Sequence, residues 1–335
     1  MVVLRDNSIG NWERERLETV QSILKQAGFT VSQPCYSRPS CFDFAARKGR
    51  DLMFMRCQRD IGSLSSSDSR ELRAISESFS AAPLLIGRET REKPLEDDTI
   101  YTRYEVLAVT PKTLENVVLH NAAPLIQASP GGYYVEIDGE ALKRKRQELG
   151  LSVGEMAEMI GISRRTVYGY ERGMAKASVT AAYNLIWVLG IPVARPVNLL
   201  EKSATQRKRC ILTSARRAFA RNKLLSKLFN KFARYHITTV RKAPFDFIIS
   251  VPEEKMRIVG GVADEREPAL NRRVEEILSV SGVVQAHPIL ITEGRSPSEQ
   301  NILRISSEEI SRIENPEELI SDIKKASSDV NPFRP

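Results

Sequence analysis

The stretch LGLSVGEMAEMIGISRRTVYGYERG, from Leu149 to Gly173, decides the fold of the middle of the chain. Ser152 and Glu155 form the capping-box pattern with which a helix begins. Gly161 ends that helix, because glycine adopts the left-handed backbone conformation at little cost. Ser163 caps a further helix only two residues later. This spacing predicts two short helices joined by a tight turn, the helix-turn-helix arrangement whose second helix enters a DNA major groove.

The apolar positions predict which helix faces are buried. A first helix carries Leu142, Arg146 and Leu149 at helical spacing and ends at Gly150. A fourth helix is expected within residues 178–190. The residues expected on the inner faces of the second and fourth helices are Met156, Ala157, Met159, Ile160, Ala182, Leu185, Ile186 and Leu189.

This segment resembles the Cro and phage-repressor type of helix-turn-helix domain. The matching pieces are KRKRQELGL (143–151), EMAEMIGIS (155–163) and TVYGYERG (166–173). The resemblance implies that Arg146 and Glu171 pair across the first and third helices and serve as scaffold. One position departs from the family pattern, because Val153 stands where a phosphate-holding Gln is common.

The start and outward side of the third helix carry the candidate DNA-binding residues, which are Ser163, Arg164, Arg165, Thr166 and Tyr168. An Arg can form two hydrogen bonds with guanine, which contributes roughly 1–3 kcal/mol of base discrimination. Neighbours on a helix differ by about 100° in direction. One Arg can therefore read a base while the other holds a phosphate. The alternative is an exposed polar face without a ligand.

Charge and cysteine content narrow the class of protein. The net charge is +8, and residues 202–234 contain eleven Lys or Arg and no acidic residue. This localisation is typical of a polyanion-binding segment, although a solvated basic helix remains an alternative. The four cysteines are too few for a disulfide framework and lack zinc-site spacing. No signal peptide or membrane span is evident, so a cytoplasmic protein is expected. Neither a cofactor nor a metal is expected.

Two parts of the chain repeat one α/β plan. CFDFAAR (41–47) parallels PFDFIIS (244–250), and APLLIGRET (82–90) parallels HPILITEGR (287–295). Helices and strands are expected in the same order in both parts. The pattern indicates a duplicated domain, and chance similarity of two generic α/β units is the alternative. The pair Gly260-Gly261 inside a strand indicates a bulge or a close approach.

These α/β parts resemble the restriction-endonuclease-like fold, which cleaves phosphodiesters with metal-binding carboxylates. Asp43 and Asp246 match the first carboxylate of that fold's motif. The following strands, 52–58 and 256–262, contain no acidic residue, and Arg56 is the only charge in the first of them. A single carboxylate provides too little charge to retain a catalytic metal. Both domains are therefore predicted to be degenerate and the protein not to be an enzyme.

The expected fold is a central four- to five-helix Cro-type domain between two similar α/β domains. The predicted boundaries are 1–125 for the N-terminal α/β domain, 126–200 for the DNA-binding domain, and 201–330 for the basic helix with the C-terminal α/β domain. The whole chain is similar to a family of archaeal transcriptional regulators, through residues 28–52, 80–87 and 161–178.

The function indicated is a sequence-specific regulator that binds double-stranded DNA as a homodimer. A nuclease-like DNA-processing protein and a non-catalytic architectural protein are the alternatives. The sequence does not identify an operator, and it leaves a small-molecule effector open.

Overall fold

A computed structural model describes residues 7–91, 93–201, 232, 234–263, 267, 269–292, 302–312, 317–321 and 323–324. Its contacts form two compact units. The first joins residues 1–57 and 64–84 with 200–335, and the second comprises 58–63 and 85–199. The N-terminal and C-terminal α/β parts therefore share one unit, and the three consecutive domains stay a prediction.

The helices of the described residues are α1 Asn7–Gln26, α2 Ser66–Phe79, α3 Pro111–His120, α4 Gly139–Glu148, α5 Val153–Ile160, α6 Arg164–Glu171, α7 Val179–Leu189, α8 Leu270–Val284 and α9 Ser307–Arg312. The strands are β1 Thr30–Val31, β2 Phe44–Lys48, β3 Asp51–Cys57, β4 Ala82–Ile86, β5 Glu89–Thr90, β6 Lys93–Pro94, β7 Thr99–Arg103, β8 Val106–Val109, β9 Ile126–Ser129, β10 Gly132–Val135, β11 Ala177–Ser178, β12 His236–Thr239, β13 Phe247–Val251, β14 Met256–Val262, β15 His287–Thr292 and β16 Leu303–Ser306. Within this part of the chain, no helix combines the length and apolarity needed to cross a membrane.

The N-terminal half of the first unit is built on the antiparallel ribbon β1–β2–β3. Phe44 on β2 stands opposite Met55 on β3, and both side chains are fully buried. Helix α2 begins after Ser65, which is its N-cap. The Ser65 hydroxyl accepts the Asp68 N–H at 3.0 Å and donates to the Asp68 carboxylate at 2.6 Å.

The C-terminal half is a five-stranded sheet in the order β12–β13–β14–β15–β16. Its first three strands are antiparallel and its last two pairings are parallel. The predicted close approach at Gly260 is present: a Cβ built there would lie 1.8 Å from the ring of Phe247. The buried apolar core lies on this sheet and consists of Phe232, Phe247, Ile249, Val251, Met256, Ile258, Ile289, Ile291, Ile305, Ile310, Leu319, Ile320 and Ile323.

The two halves follow the same order of elements. In each, a three-stranded antiparallel ribbon is followed by a helix and then by a buried strand, as β1–β2–β3, α2 and β4 and as β12–β13–β14, α8 and β15. The Phe-Asp-Phe triplets lead into equivalent strands, β2 and β13. The rings of Phe42 and Phe245 lie 6.2 Å apart, centroid to centroid, inside the first unit. This order agrees with the duplicated α/β plan expected from the sequence.

Each half also holds a loop of the other through one carboxylate, and these reciprocal carboxylate contacts join the halves. Glu276 on α8 accepts the backbone N–H groups of Tyr36 and Ser37, both at 2.8 Å. Glu71 on α2 accepts the backbone N–H groups of residues 241 and 242, at 2.9 and 2.8 Å. Because Glu276 is only 2% exposed, its carboxylate has little access to water as an alternative partner.

The second unit contains the predicted helix-turn-helix helices α4 to α7. Residues 122–132 contain β9, which pairs in parallel with β7 and antiparallel with β10. The charged segment 88–99 contains the short hairpin β5–β6, and β7 begins at its end. The pairing of β7 with β9 joins Thr99 to Ile126, which local composition does not report.

Two residues expected inside the helical core lie outside it. Met159 on α5 is 56% exposed and Ile186 on α7 is 36% exposed. Each lies at the edge of the buried face of its helix, where an apolar side chain can point to the core or to the solvent. The remaining inner-face residues of α5 and α7 are buried, whereas Leu149, which follows α4, is 47% exposed. The predicted basic helix after residue 202 lies almost wholly outside the described residues.

Replacing Glu276 by Ala tests the reciprocal carboxylate contacts. The substitution leaves two backbone donors without their acceptor, so we expect the free energy of unfolding to fall by roughly 1–3 kcal/mol per donor. Urea denaturation of the full-length protein measures this loss.

The matched control is Glu275→Ala, because Glu275 is an exposed residue of the same helix. Equal stability of the two variants would contradict the role assigned to Glu276.

Candidate nucleic-acid interface and the motif carboxylates

The turn between α5 and α6 is fixed by hydrogen bonds at the helix ends. The Ser152 hydroxyl accepts the Glu155 N–H at 3.1 Å, and the Glu155 carboxylate accepts the Ser152 N–H at 2.7 Å. These bonds hold the pKa of Glu155 below its ordinary value. Gly161 ends α5 with φ of +77°, as the left-handed cap requires. Ser163 then caps α6 by accepting the Thr166 N–H at 3.1 Å.

Helix α6 divides into a buried side and an exposed side. Val167 is fully buried, and Tyr170 is 4% exposed. Arg164 and Arg165 are exposed, and Tyr168 is 49% exposed. The structure therefore brings the candidate DNA-binding side chains together on the outward surface of one helix. Their role in binding DNA stays a prediction.

Ser163 and Thr166 differ from the other candidates in that their side chains contact each other. Their hydroxyl oxygens are 2.8 Å apart. Each hydroxyl has hydrogen-bonding capacity left, since a hydroxyl is one donor and two acceptors. Among the candidate DNA-binding residues, Arg164, Arg165 and Tyr168 have the longest side chains. These side chains can contact DNA at a distance from the helix.

Arg146 and Glu171 meet across α4 and α6. Nε and Nη2 of Arg146 donate to the two Glu171 carboxylate oxygens at 2.6 and 3.3 Å, and Nη1 donates to the Leu151 carbonyl at 2.8 Å. The side chains are 9% and 5% exposed. The same helices approach closely at Gly139, where a Cβ would lie 2.4 Å from the Tyr170 carbonyl oxygen. This geometry is that of a buried contact between helices.

The motif carboxylate of the N-terminal half is occupied by partners from its own chain. One Asp43 oxygen accepts from Nη1 of Arg56 at 2.8 Å, and the other accepts the Cys57 N–H at 2.6 Å. Arg56 lies on β3, the strand that carries further acidic ligands in cleaving members of the fold. A guanidinium at this position neutralises the carboxylate and opposes the approach of a metal cation.

Asp246, the motif carboxylate of the C-terminal half, has the same kind of surroundings. It accepts the Val262 N–H at 2.6 Å and a hydrogen bond from Arg38 at 2.9 Å. Arg273, whose side chain is fully buried, also donates to Asp246 and to Glu267. In both halves a backbone N–H and Arg side chains therefore bind the motif carboxylate. Both Asp residues were predicted from the sequence, whereas Arg38 and Arg273 were not, because their partners are distant in sequence.

The buried cysteines are placed as core residues. Cys35, Cys41 and Cys57 are each at most 5% exposed. Burial raises the pKa of all three thiols well above the ordinary value, which favours the protonated form. Over the described ranges, His, Cys, Asp and Glu side chains do not gather in groups of three that could hold a metal ion.

Comparison with protein families matches two parts of the chain. Residues 13–124 match a PD-(D/E)XK superfamily domain, and residues 142–195 match a helix-turn-helix domain. The first match agrees with the restriction-endonuclease-like fold expected for the N-terminal part. The second covers α4 to α7 and agrees with the Cro-type domain.

Several archaeal relatives match along nearly their whole length. A protein of Methanocella arvoryzae, named "Putative HTH-type transcriptional regulatory protein", is 33% identical over 93% of this chain and 98% of its own. Proteins of the same description from Methanocaldococcus jannaschii and Pyrococcus furiosus are 31% and 27% identical. They cover 92% and 94% of this chain and 95% and 99% of their own.

Among solved structures, the SinR protein/SinI protein complex matches at 21% identity, over 29% of this chain and 92% of that chain. Its TM-score is 0.16, so this likeness carries no argument.

Replacing Glu171 by Ala tests its scaffold role. The variant leaves the Arg146 guanidinium buried without its carboxylate, which costs about 3–5 kcal/mol in comparable buried pairs. We expect faster amide hydrogen exchange in α4 and α6 and a lower melting temperature. The exposed residue Glu158 provides the matched control, Glu158→Ala. An unchanged melting temperature together with a changed DNA sequence preference would contradict the assignment.

Proposed function

Because the chain belongs to the family of archaeal HTH-type transcriptional regulatory proteins, we propose that it is a sequence-specific DNA-binding transcriptional regulator. In this proposal α6 enters the major groove of double-stranded DNA. The observation that carries it is the capped α5–α6 pair with Arg164, Arg165 and Tyr168 on one exposed surface. A cytoplasmic location follows from the same proposal, since a regulator acts on the chromosome.

The chemistry of the exposed Arg side chains on α6 also supports DNA binding. No ion pair or hydrogen bond occupies the guanidinium of Arg164 or Arg165 among the described residues. Guanidinium groups are well suited to guanine edges and to phosphates, because they present several donors in one plane. Helices α4 and α7 support this surface from inside through the shared core of the domain.

We further propose that the protein binds DNA as a homodimer through α7. Val179, Tyr183 and Trp187 follow each other at four-residue spacing and are 39%, 67% and 78% exposed. Four-residue spacing places them along one side of the helix. The sequence of α7 contains no charged residue. An exposed apolar stripe of this kind is typical of an interaction surface, and an uncharged one permits two copies of a basic protein to meet.

We propose that the first unit, which holds Asp43 and Asp246, is a scaffold and not a nuclease. Arg56 against Asp43, and Arg38 with Arg273 against Asp246, occupy the carboxylates that a catalytic metal would need. Metal-assisted cleavage requires carboxylates that are free to bind a divalent cation. Joining the two ends of the chain is a role that this unit performs without any metal.

Sequence-specific binding is tested by replacing Arg164 and Arg165 together by Ala. We expect wild-type protein to enrich a sequence motif from a random duplex pool and the double variant to enrich none. Each lost base contact removes about 1–3 kcal/mol of discrimination. If wild-type protein and the variant each bound all duplexes with the same affinity, this result would favour an architectural protein instead.

Cleavage is tested with supercoiled plasmid and Mg²⁺ or Mn²⁺. We expect no conversion to nicked or linear DNA by wild-type protein, because both motif carboxylates are neutralised by Arg. Metal-dependent nicking that Asp43→Ala abolishes would overturn the scaffold role.

The dimer is tested with Trp187→Glu, which places like charges opposite each other across a two-fold axis. We expect light scattering after size-exclusion chromatography to give twice the chain mass for wild type and the chain mass for the variant. Thr180→Glu is the matched control, since Thr180 is an exposed residue of the same helix. A wild-type protein that is monomeric at micromolar concentration, or a dimeric Trp187→Glu variant, would refute the proposed interface.

A further inference from the structure

An exposed tyrosine of the β9–β10 hairpin lies on the face of its strand that carries the domain core. Every second residue of a strand points to the same face. Tyr133 stands two residues before Val135, which is 4% exposed and belongs to the core of the helix-turn-helix domain. Tyr133 itself is 46% exposed. The apolar face of β10 therefore continues past the edge of the core and into the solvent.

Strand pairing places Tyr133 beside the start of α7. Strand β10 pairs antiparallel with β11, and Tyr134 stands opposite Ser178. The next position of this register brings Tyr133 beside Val179, the first residue of α7, at the spacing of neighbouring strands, about 5 Å. Val179 begins the exposed apolar stripe of α7. Tyr133 therefore extends that stripe from the helix onto the sheet.

Neighbouring groups hold the Tyr133 side chain in place. The Tyr101 hydroxyl accepts the Glu96 N–H at 2.9 Å and shares a hydrogen bond with the Tyr133 hydroxyl. A side chain that is already held in one position loses little conformational entropy when a partner covers it. The ring of Tyr133 is therefore pre-organised for a contact.

The surface that contains Tyr133 carries no charge. Neither 126–135 nor 177–189 contains a charged residue, although charged residues make up 27% of the chain. The hairpin also precedes residues 142–195, which match the helix-turn-helix domain, so it is an addition to that domain. The chain has a net charge of +8, and an uncharged surface lets two copies meet without like charges in the contact.

The exposed area of α7 alone is small for a specific dimer. Val179, Tyr183 and Trp187 are 39%, 67% and 78% exposed. Since an aromatic side chain buries about 150–250 Å², two copies of this stripe would bury roughly 800 Å², the upper size of incidental crystal-packing contacts. Adding Tyr133 from both copies raises the buried area to about 1,000 Å², the size that a specific interface requires.

We infer that Tyr133 forms part of the interface with a second copy of this chain, together with Val179, Tyr183 and Trp187. The inference rests on the homodimer of the proposed function and adds a contact from outside the matched helix-turn-helix domain. Two copies that meet along one helix can rotate about the contact, whereas a second contact beside the helix fixes their orientation. Tyr133 then determines how far apart the two α6 helices lie, and with it the spacing of the DNA half-sites.

The test measures the dissociation constant of the dimer by analytical ultracentrifugation over a concentration series. It compares full-length wild type with Tyr133→Ser, Tyr133→Phe and Tyr104→Ser. Tyr104, in the turn between β7 and β8, is the matched control because it has the same exposed fraction of 46%. Far-UV circular dichroism checks that each variant keeps the helix content of wild type.

We expect Tyr133→Ser to raise the dissociation constant by roughly tenfold or more, because a two-fold interface loses the aromatic contact twice. Tyr133→Phe keeps the ring, so its dissociation constant stays within about threefold of wild type. Tyr104→Ser leaves the dissociation constant unchanged. Amide hydrogen exchange of wild type provides a second measurement without substitution: exchange in β10 and α7 slows between concentrations below and above the dissociation constant.

A Tyr133→Ser variant that dimerises as tightly as wild type, while Trp187→Glu is monomeric, would overturn the inference and leave the α7 dimer standing. Equal weakening by Tyr104→Ser, or exchange in β10 that does not depend on concentration, would also overturn it. Failure of the proposed homodimer is read separately, from wild-type protein that stays monomeric across the whole concentration series. The exposed surface would then belong to a different partner, and the inference would fall with the homodimer.

Discussion

The reciprocal carboxylate contacts are the interaction on which the architecture depends. Glu276 and Glu71 each accept two consecutive backbone N–H groups from a loop of the opposite half. Buried backbone donors need acceptors, and a carboxylate is a strong one. Because the two halves lie at opposite ends of the sequence, these bonds form only when both ends of the chain come together. The helix-turn-helix segment lies between them in sequence.

Charge is distributed differently in the two parts of the molecule. In the first unit, Asp43 and Asp246 are each bound by Arg side chains and by a backbone N–H, so both motif carboxylates have partners within the chain. On α6, by contrast, Arg164 and Arg165 are exposed. A site that is to bind phosphate needs cations with free donors, and a scaffold needs charges that are satisfied internally. This contrast favours DNA reading over DNA cleavage.

Much of the fold could be predicted from local patterns, because helix caps and strand runs are local. Ser152, Gly161 and Ser163 define the helix-turn-helix, and the Phe-Asp-Phe triplets mark the two related strands. The contacts that could not be predicted join residues distant in sequence. Arg38 and Asp246, which contact each other, are 208 residues apart in sequence. Met159 and Ile186 were assigned to the core wrongly, since an apolar residue at the edge of a helix face has the same pattern whether buried or exposed.

We propose that the chain reads DNA with α6 while the unit that holds Asp43 and Asp246 serves as scaffold. Amide hydrogen exchange of the full-length protein, with and without a duplex enriched from a random pool, tests this most directly. The account predicts slower exchange on DNA binding in α6 and in the first turn of α5, with the strands that follow Asp43 and Asp246 unchanged. Slower exchange around those two carboxylates, with α6 unchanged, would contradict it.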